Sequence, residues 1–98
     1  MPEYQEIIIE TYLNWGEPSA DGIRARPLPG QGFPISMRVE CSSGMRHKHP
    51  VGTKFKILAK ETSREGGARF LYTHYSWPFE AVSDDIAASF IRERFGSA

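Results

Sequence analysis

Cys41, His47 and His49 fall within nine positions of one another, and His74 follows in a segment dense with rings. Thiolate and neutral imidazole are ligands that zinc accepts, and two histidines at i and i+2 of a strand share a face. The spacing argues against a metal centre. There is no CxxC pair and no HExxH, and both loop histidines crowd against Pro50. A nucleophilic cysteine wants exposure and a cationic neighbourhood. Here the alternation Ile35, Met37, Val39, Cys41 turns the thiol inward, while Arg38 points the other way. Asp84 and Asp85 are adjacent, so they do not face each other as an acid/base pair; the first turn of a helix explains both. GQG at 30–32 and GG at 66–67 lack the Lys and the strand–loop–helix setting of a phosphate loop. RARPLPGQG lacks the PxxP spacing of a polyproline ligand. No nucleophile, base and orienting group assemble from these residues. The reading leans away from an enzyme, with no catalytic residue, no metal and no cofactor.

The cations and rings carry a stronger signal. The net charge is zero, yet residues 1–23 hold five acids and no Lys or Arg, whereas residues 24–69 hold ten bases and three acids. Residues 70–98 return to four acids against two arginines. Either the segments neutralise one another in the fold or a basic face is left for an anionic partner. Arg38, Lys54 and Lys56 are expected on the outward faces of two strands, with Arg46, His47, Lys48 and His49 in the loop between them. ARFLYTHYSWPFEAV, residues 68–82, supplies five aromatic side chains and His74. Phe70 and Phe79 are assigned to the core; Tyr75 and Trp77, at a strand end before Pro78, are assigned to the surface. Cations for phosphates beside rings for bases make a single-stranded nucleic-acid platform. The expected function is therefore a non-enzymatic binding module for an anionic partner, nucleic acid or an acidic protein surface. Its site is Arg38, Arg46, Lys48, Lys54, Lys56, Tyr75 and Trp77. Two other readings stay open: a homodimeric or protein–protein module using open strand edges, and a small-molecule binder or enzyme at a barrel mouth with His47, His49 or His74.

The elements that must position these residues are short strands and one helix. QEIIIETYL at 5–13 is rich in β-branched residues and reads as a strand with Ile7, Ile9, Thr11 and Leu13 on one face. IRARPL reads as a short edge strand that Pro27 and Pro29 terminate. Ile35 to Ser42 alternates as a half-buried strand, and TKFKILAKE places Phe55, Ile57 and Ala59 opposite Lys54 and Lys56. Gly66-Gly67 marks a hairpin that returns the chain as RFLYTHYSW. FEAV leads into a helix over about 83–95, with Ser83 as N-cap, Gly96 as C-terminal cap, and a stripe of Ala87, Ile91 and Phe95 flanked by Ile86 and Phe90. The fold class is α+β: a small antiparallel, SH3-like β-barrel or curved sheet of four or five strands with a C-terminal helix.

The run RPLPGQGFPISMRVECSSGMRHKHPVGTKFKI, followed by RFLYTHYSWPFEAV, resembles small uncharacterised proteins encoded on mobile gene cassettes of integron type. The resemblance implies a free-standing bacterial domain with an SH3-like barrel, and it brings no activity or site residues. With 98 residues the chain is expected to form one domain. MPEYQEIIIE is too acidic and too briefly apolar for a signal peptide or membrane span, and a single cysteine fits a reducing, cytoplasmic setting.

Overall fold

The computed structural model describes residues 4–13, 22–41, 43–63, 66–74 and 76–96. Two nine-residue strands, β1 (Gln5–Leu13) and β4 (Lys54–Thr62), run antiparallel through the middle of the sheet. Their register sets Ile7 beside Ile57 and Ile9 beside Phe55, so the alternating apolar residues of both strands meet on one face. β2 (Ile23–Pro27) pairs with the free side of β1 and adds Ala25 and Pro27 to that face. The other edge of β4 is shared: β6 (Phe79–Val82) takes residues 54–57, and β5 (Phe70–Tyr72) takes residues 60–62. β3 (Val39–Glu40) lies parallel to β5 at the end of the row. β2 and β3, the ends of that row, come close enough to make the sheet a nearly closed barrel. No ladder joins them among the described residues. The sheet is thus mixed, and with the terminal helix it forms the small α+β barrel expected from the strand pattern.

Three elements differ from expectation. The alternation from Ile35 yields a strand only at Val39–Glu40, because the chain turns first: Met37 N–H donates to Pro34 C=O at 3.0 Å. Ile35 is consequently 54% exposed instead of inward. Residues 43–47, read as loop, form a short helix, α1 (Ser43–His47), which drops Met45 into the core. FEAV is a strand rather than a lead-in, since the edge of β4 before Lys60 is open to receive it.

The core consists of Ile7, Ile9, Ala25, Val39, Met45, Phe55, Ile57, Ala59 and Leu71. Ile8 points to the opposite face and is also fully buried, because the helix α2 (Asp84–Phe95) crosses that face of β1 and β4. Burying one such side chain contributes about 1.5–3 kcal/mol, so the IIIE run is apolar on both faces for a reason. Ser83 caps α2 by accepting from Ile86 N–H at 3.2 Å, and Asp84 and Asp85 sit at the positive end of the dipole. Gly96, at φ 68°, donates to Arg92 C=O at 3.0 Å and closes the helix. Ala87 is buried in the stripe and Ile91, Phe90 and Phe95 are half-buried, whereas Ile86 is 57% exposed.

β2 leaves its ladder after Leu28, where the chain turns at residues 29–30. Leu28 N–H still donates to Ile8 C=O at 3.1 Å, but the reciprocal position is taken by a side chain. Gln31 Oε1 accepts from Ile8 N–H at 2.7 Å, and Gln31 Nε2 donates to Ile8 C=O at 2.8 Å and to Leu28 C=O at 3.0 Å. One buried primary amide, 2% exposed, thus replaces a peptide group of the missing strand. Gly30, at φ 92°, makes the turn that brings Gln31 there, and a Cβ on it would meet Ile91 Cγ2 at 3.2 Å.

Candidate anion-binding face

The even-numbered residues of β4 turn away from the core: Lys54, Lys56, Leu58 and Lys60. Beside them on β1 stand Glu10, Ile8 and Glu6, and on the other side Val82 and Glu80 of β6 and Tyr72 of β5. α2 covers one end of this face. Lys54 Nζ meets Asp84 Oδ1 at 2.9 Å, Lys56 Nζ lies 5.9 Å from the Phe90 ring centroid, and Arg94 reaches Glu6 at 2.6 Å. Beyond the helix lies a shallow depression of about 300 Å³ lined by Glu6, Lys56, Leu58, Pro78, Phe79 and Glu80.

Rings close the other end. Tyr72 is the cross-strand partner of Lys60, and Lys60 Nζ stands 5.2 Å from the Tyr4 ring centroid. Trp77 packs against both tyrosines, with centroids 4.5 Å from Tyr4 and 6.1 Å from Tyr72 at interplanar angles of 76° and 79°. A turn places it: Trp77 N–H donates to His74 C=O at 3.0 Å, and Ser76 N–H donates to His74 Nδ1 at 3.1 Å. The His74 ring lies 5.6 Å from Trp77. Trp77 meets both tyrosines edge to face, so a flat guest would stack on an outward surface rather than enter between them.

The expected site residues do not form one patch. Lys54 and Lys56 share the outward face of β4, each opposite a carboxylate: Asp84, and Glu80 at 3.7 Å. Trp77 joins the same face at its far end. Arg38 lies elsewhere, 3.5 Å from Glu40, lining a depression of about 300 Å³ between β2 and β3 with Arg24, Ala25, Val39 and Cys41. Lys48 is exposed just after α1. The side chain of Arg46 and the whole of Tyr75 lie outside the described residues. Phe79, assigned to the core, is 41% exposed and touches Phe55 and His49 at centroid distances of 5.7 and 6.5 Å.

Residues that could have suggested metal or acid/base chemistry are dispersed. His47 ends α1, His49 stands edge-on to Phe55 at 5.0 Å, and Cys41 is half-buried against the core. Among the described residues no three His, Cys, Asp or Glu side chains gather as a cation site, and no helix is long and apolar enough to cross a membrane. Lys60 and Tyr4 complete the face but were not among the expected site residues. The period-two spacing Lys54, Lys56, Lys60 carried a signal for the first; Tyr4 needs the register of Gln5 beside Ala59, which no local pattern encodes. Comparison with protein-family models, with curated proteins and with solved structures gives no match to this chain.

Proposed function

We propose that the protein is a non-enzymatic binding module that takes an anionic, ring-bearing partner, single-stranded nucleic acid, on the outward face of β4. The observation that carries this reading is the cross-strand group Lys60, Tyr72, Tyr4 and Trp77 in line with Lys56 and Lys54. Cations at alternate positions of one strand follow a phosphate backbone, and stacking on an aromatic surface is worth roughly 1–3 kcal/mol per base. The local carboxylates do not oppose it strongly. Asp84 and Glu80 are 86% and 65% exposed, and such surface pairs contribute about 0.2–1 kcal/mol, so phosphates can replace them. A free-standing bacterial, cytoplasmic setting and an SH3-like barrel belong to the same proposal; their support is the resemblance of the middle segments and the lone cysteine.

The test is fluorescence anisotropy of short labelled single-stranded DNA and RNA at about 50 and 200 mM salt. Several phosphate contacts predict a loss of affinity by orders of magnitude across that range. Lys56→Glu with Lys60→Glu should abolish binding while the far-UV circular dichroism is retained. No binding at either salt, or unchanged binding in the double variant, removes the reading.

A further inference from the structure

β6 has one bonded edge and one open edge, and the hydrogen-bond parity of the sheet decides which groups lie on each. Thr11 N–H donates to Thr53 C=O at 3.2 Å, so odd-numbered residues of β4 bond β1 and even-numbered ones bond the strands opposite. The even residues of β5 obey the same parity, because Leu71 and Thr73 donate away from β4 to Arg38 and Glu40 carbonyls. On β6 the groups bonded to β4 are therefore those of Glu80 and Val82, the partners of Lys56 and Lys54. Phe79 and Ala81 turn their N–H and C=O outward, and Ser83, still extended at φ −75° and ψ 165°, turns its N–H outward while its C=O accepts from Ala87 N–H. Among the described residues no strand pairs with that outer edge, and Phe79, Glu80, Ala81 and Ser83 are exposed.

We propose that this edge pairs antiparallel with the same edge of a second copy of the chain, about a twofold axis through Ala81. Paired residues must share a face, which limits the symmetric registers to those centred on a residue. Centring on Glu80 sets it against the partner's Glu80, and centring on Val82 sets Glu80 against the partner's Asp84. Both oppose like charges across the ladder, which is destabilising. Centring on Phe79 loses pairs, because the chain turns at residues 76–77. Centring on Ala81 avoids all three problems. Ala81 then exchanges N–H···O=C bonds with the partner's Ala81, and Ser83 N–H donates to the partner's Phe79 C=O. Glu80 faces the partner's Val82 and keeps Lys56 beside it.

The smallest side chain of β6 thus lies on the axis, and the exposed Phe79 ring is covered by the incoming strand. α2 does not obstruct the approach: it leaves the edge at Asp84 and runs back over β4 to the Arg94–Glu6 contact on β1. A strand this short buries less than the roughly 1,200 Å² of standard interfaces, so the dimer is reversible and sensitive to dilution. The pairing does not rest on the anion-binding reading.

Sedimentation velocity of the full chain between about 10 μM and about 1 mM, the range suited to a small interface, should show monomer giving way to dimer. Ala81→Pro removes an N–H that β4 does not use, so it should keep the circular dichroism while weakening association at least tenfold. Amide hydrogen exchange of the unaltered protein gives a second reading, independent of whether that variant folds. Ala81 and Ser83 amides should gain protection as concentration rises. A monomer throughout the range overturns the proposal and leaves the edge for an extended segment of another protein. A dimer that survives Ala81→Pro, or whose Ala81 and Ser83 amides stay unprotected, overturns it as well.

Discussion

At the scale of single residues, Gln31 does more than its position in a Gly-flanked loop suggests. Its amide holds both backbone groups of Ile8, at 2.7 and 2.8 Å, where no water reaches. Gln31→Leu keeps the volume and removes the acceptor for Ile8 N–H and the donor to Leu28 C=O, while Ile8 C=O keeps Leu28 N–H. Leaving the buried Ile8 N–H unpaired costs about 1–3 kcal/mol, so urea denaturation should show a loss of about that size, a large share of a small domain's stability. A loss under about 0.5 kcal/mol would mean that Ile8 finds other partners. Gln31 was not legible beforehand, since its role depends on where the chain leaves a ladder whose other strand lies some twenty residues upstream. Lys54 and Lys56 were legible, because alternation along one strand is a local property. Whether a carboxylate stands opposite them is a property of the neighbours.

Among the elements, α2 was the most readable, because its cap, dipole charges, apolar stripe and terminal glycine all lie within one local segment. Its N-cap gives a direct check. Ser83→Ala removes the acceptor for Ile86 N–H and should cost about 0.5–2 kcal/mol in thermal or urea unfolding, with no change in nucleic-acid affinity. The strands were less readable where partners decide them. Ile35 to Ser42 alternates well enough to predict a long strand, yet a turn at Pro34 and the start of α1 leave two residues for pairing. FEAV carries no strong strand signal and becomes a strand because β4 offers it an edge. Ile8, on the face of β1 opposite Ile7 and Ile9, is buried by a helix from the far end of the chain. In each case the missing information was a contact between segments distant in sequence.

For the whole molecule, stability should be graded from β1 and β4 outward to the gap between β2 and β3. The N–H of Ile57 lies inside the central ladder, while the parity of both outer pairings turns the N–H of Ala25 and of Val39 toward the unladdered gap. Native-state hydrogen exchange should find Ile7 and Ile57 among the slowest amides and Ala25 and Val39 markedly faster. Equal protection at all four would mean that the barrel closes with hydrogen bonds across the gap. In the same layout the proposed binding site is the outward face of β4 and the proposed pairing site is the outer edge of the adjoining β6. The chain is neutral, and the acids of β1, β6 and α2 stand beside the β4 lysines, of which Lys54 and Lys56 keep 20% and 33% of their side chains exposed.

The β1–β4 pairing also has a kinetic side. Ile7 and Ile57 are neighbours in the sheet but lie fifty residues apart in the chain. The β4–β5 hairpin and α2 can form from nearby residues, whereas the central ladder must wait for a long loop to close, at an entropic cost that contacts repay only afterwards. During synthesis β1 emerges first and its partner much later. For that interval QEIIIETYL is a strand with apolar residues on both faces and only β2 to pair with, which is when such a segment is most exposed to pairing with the wrong chain.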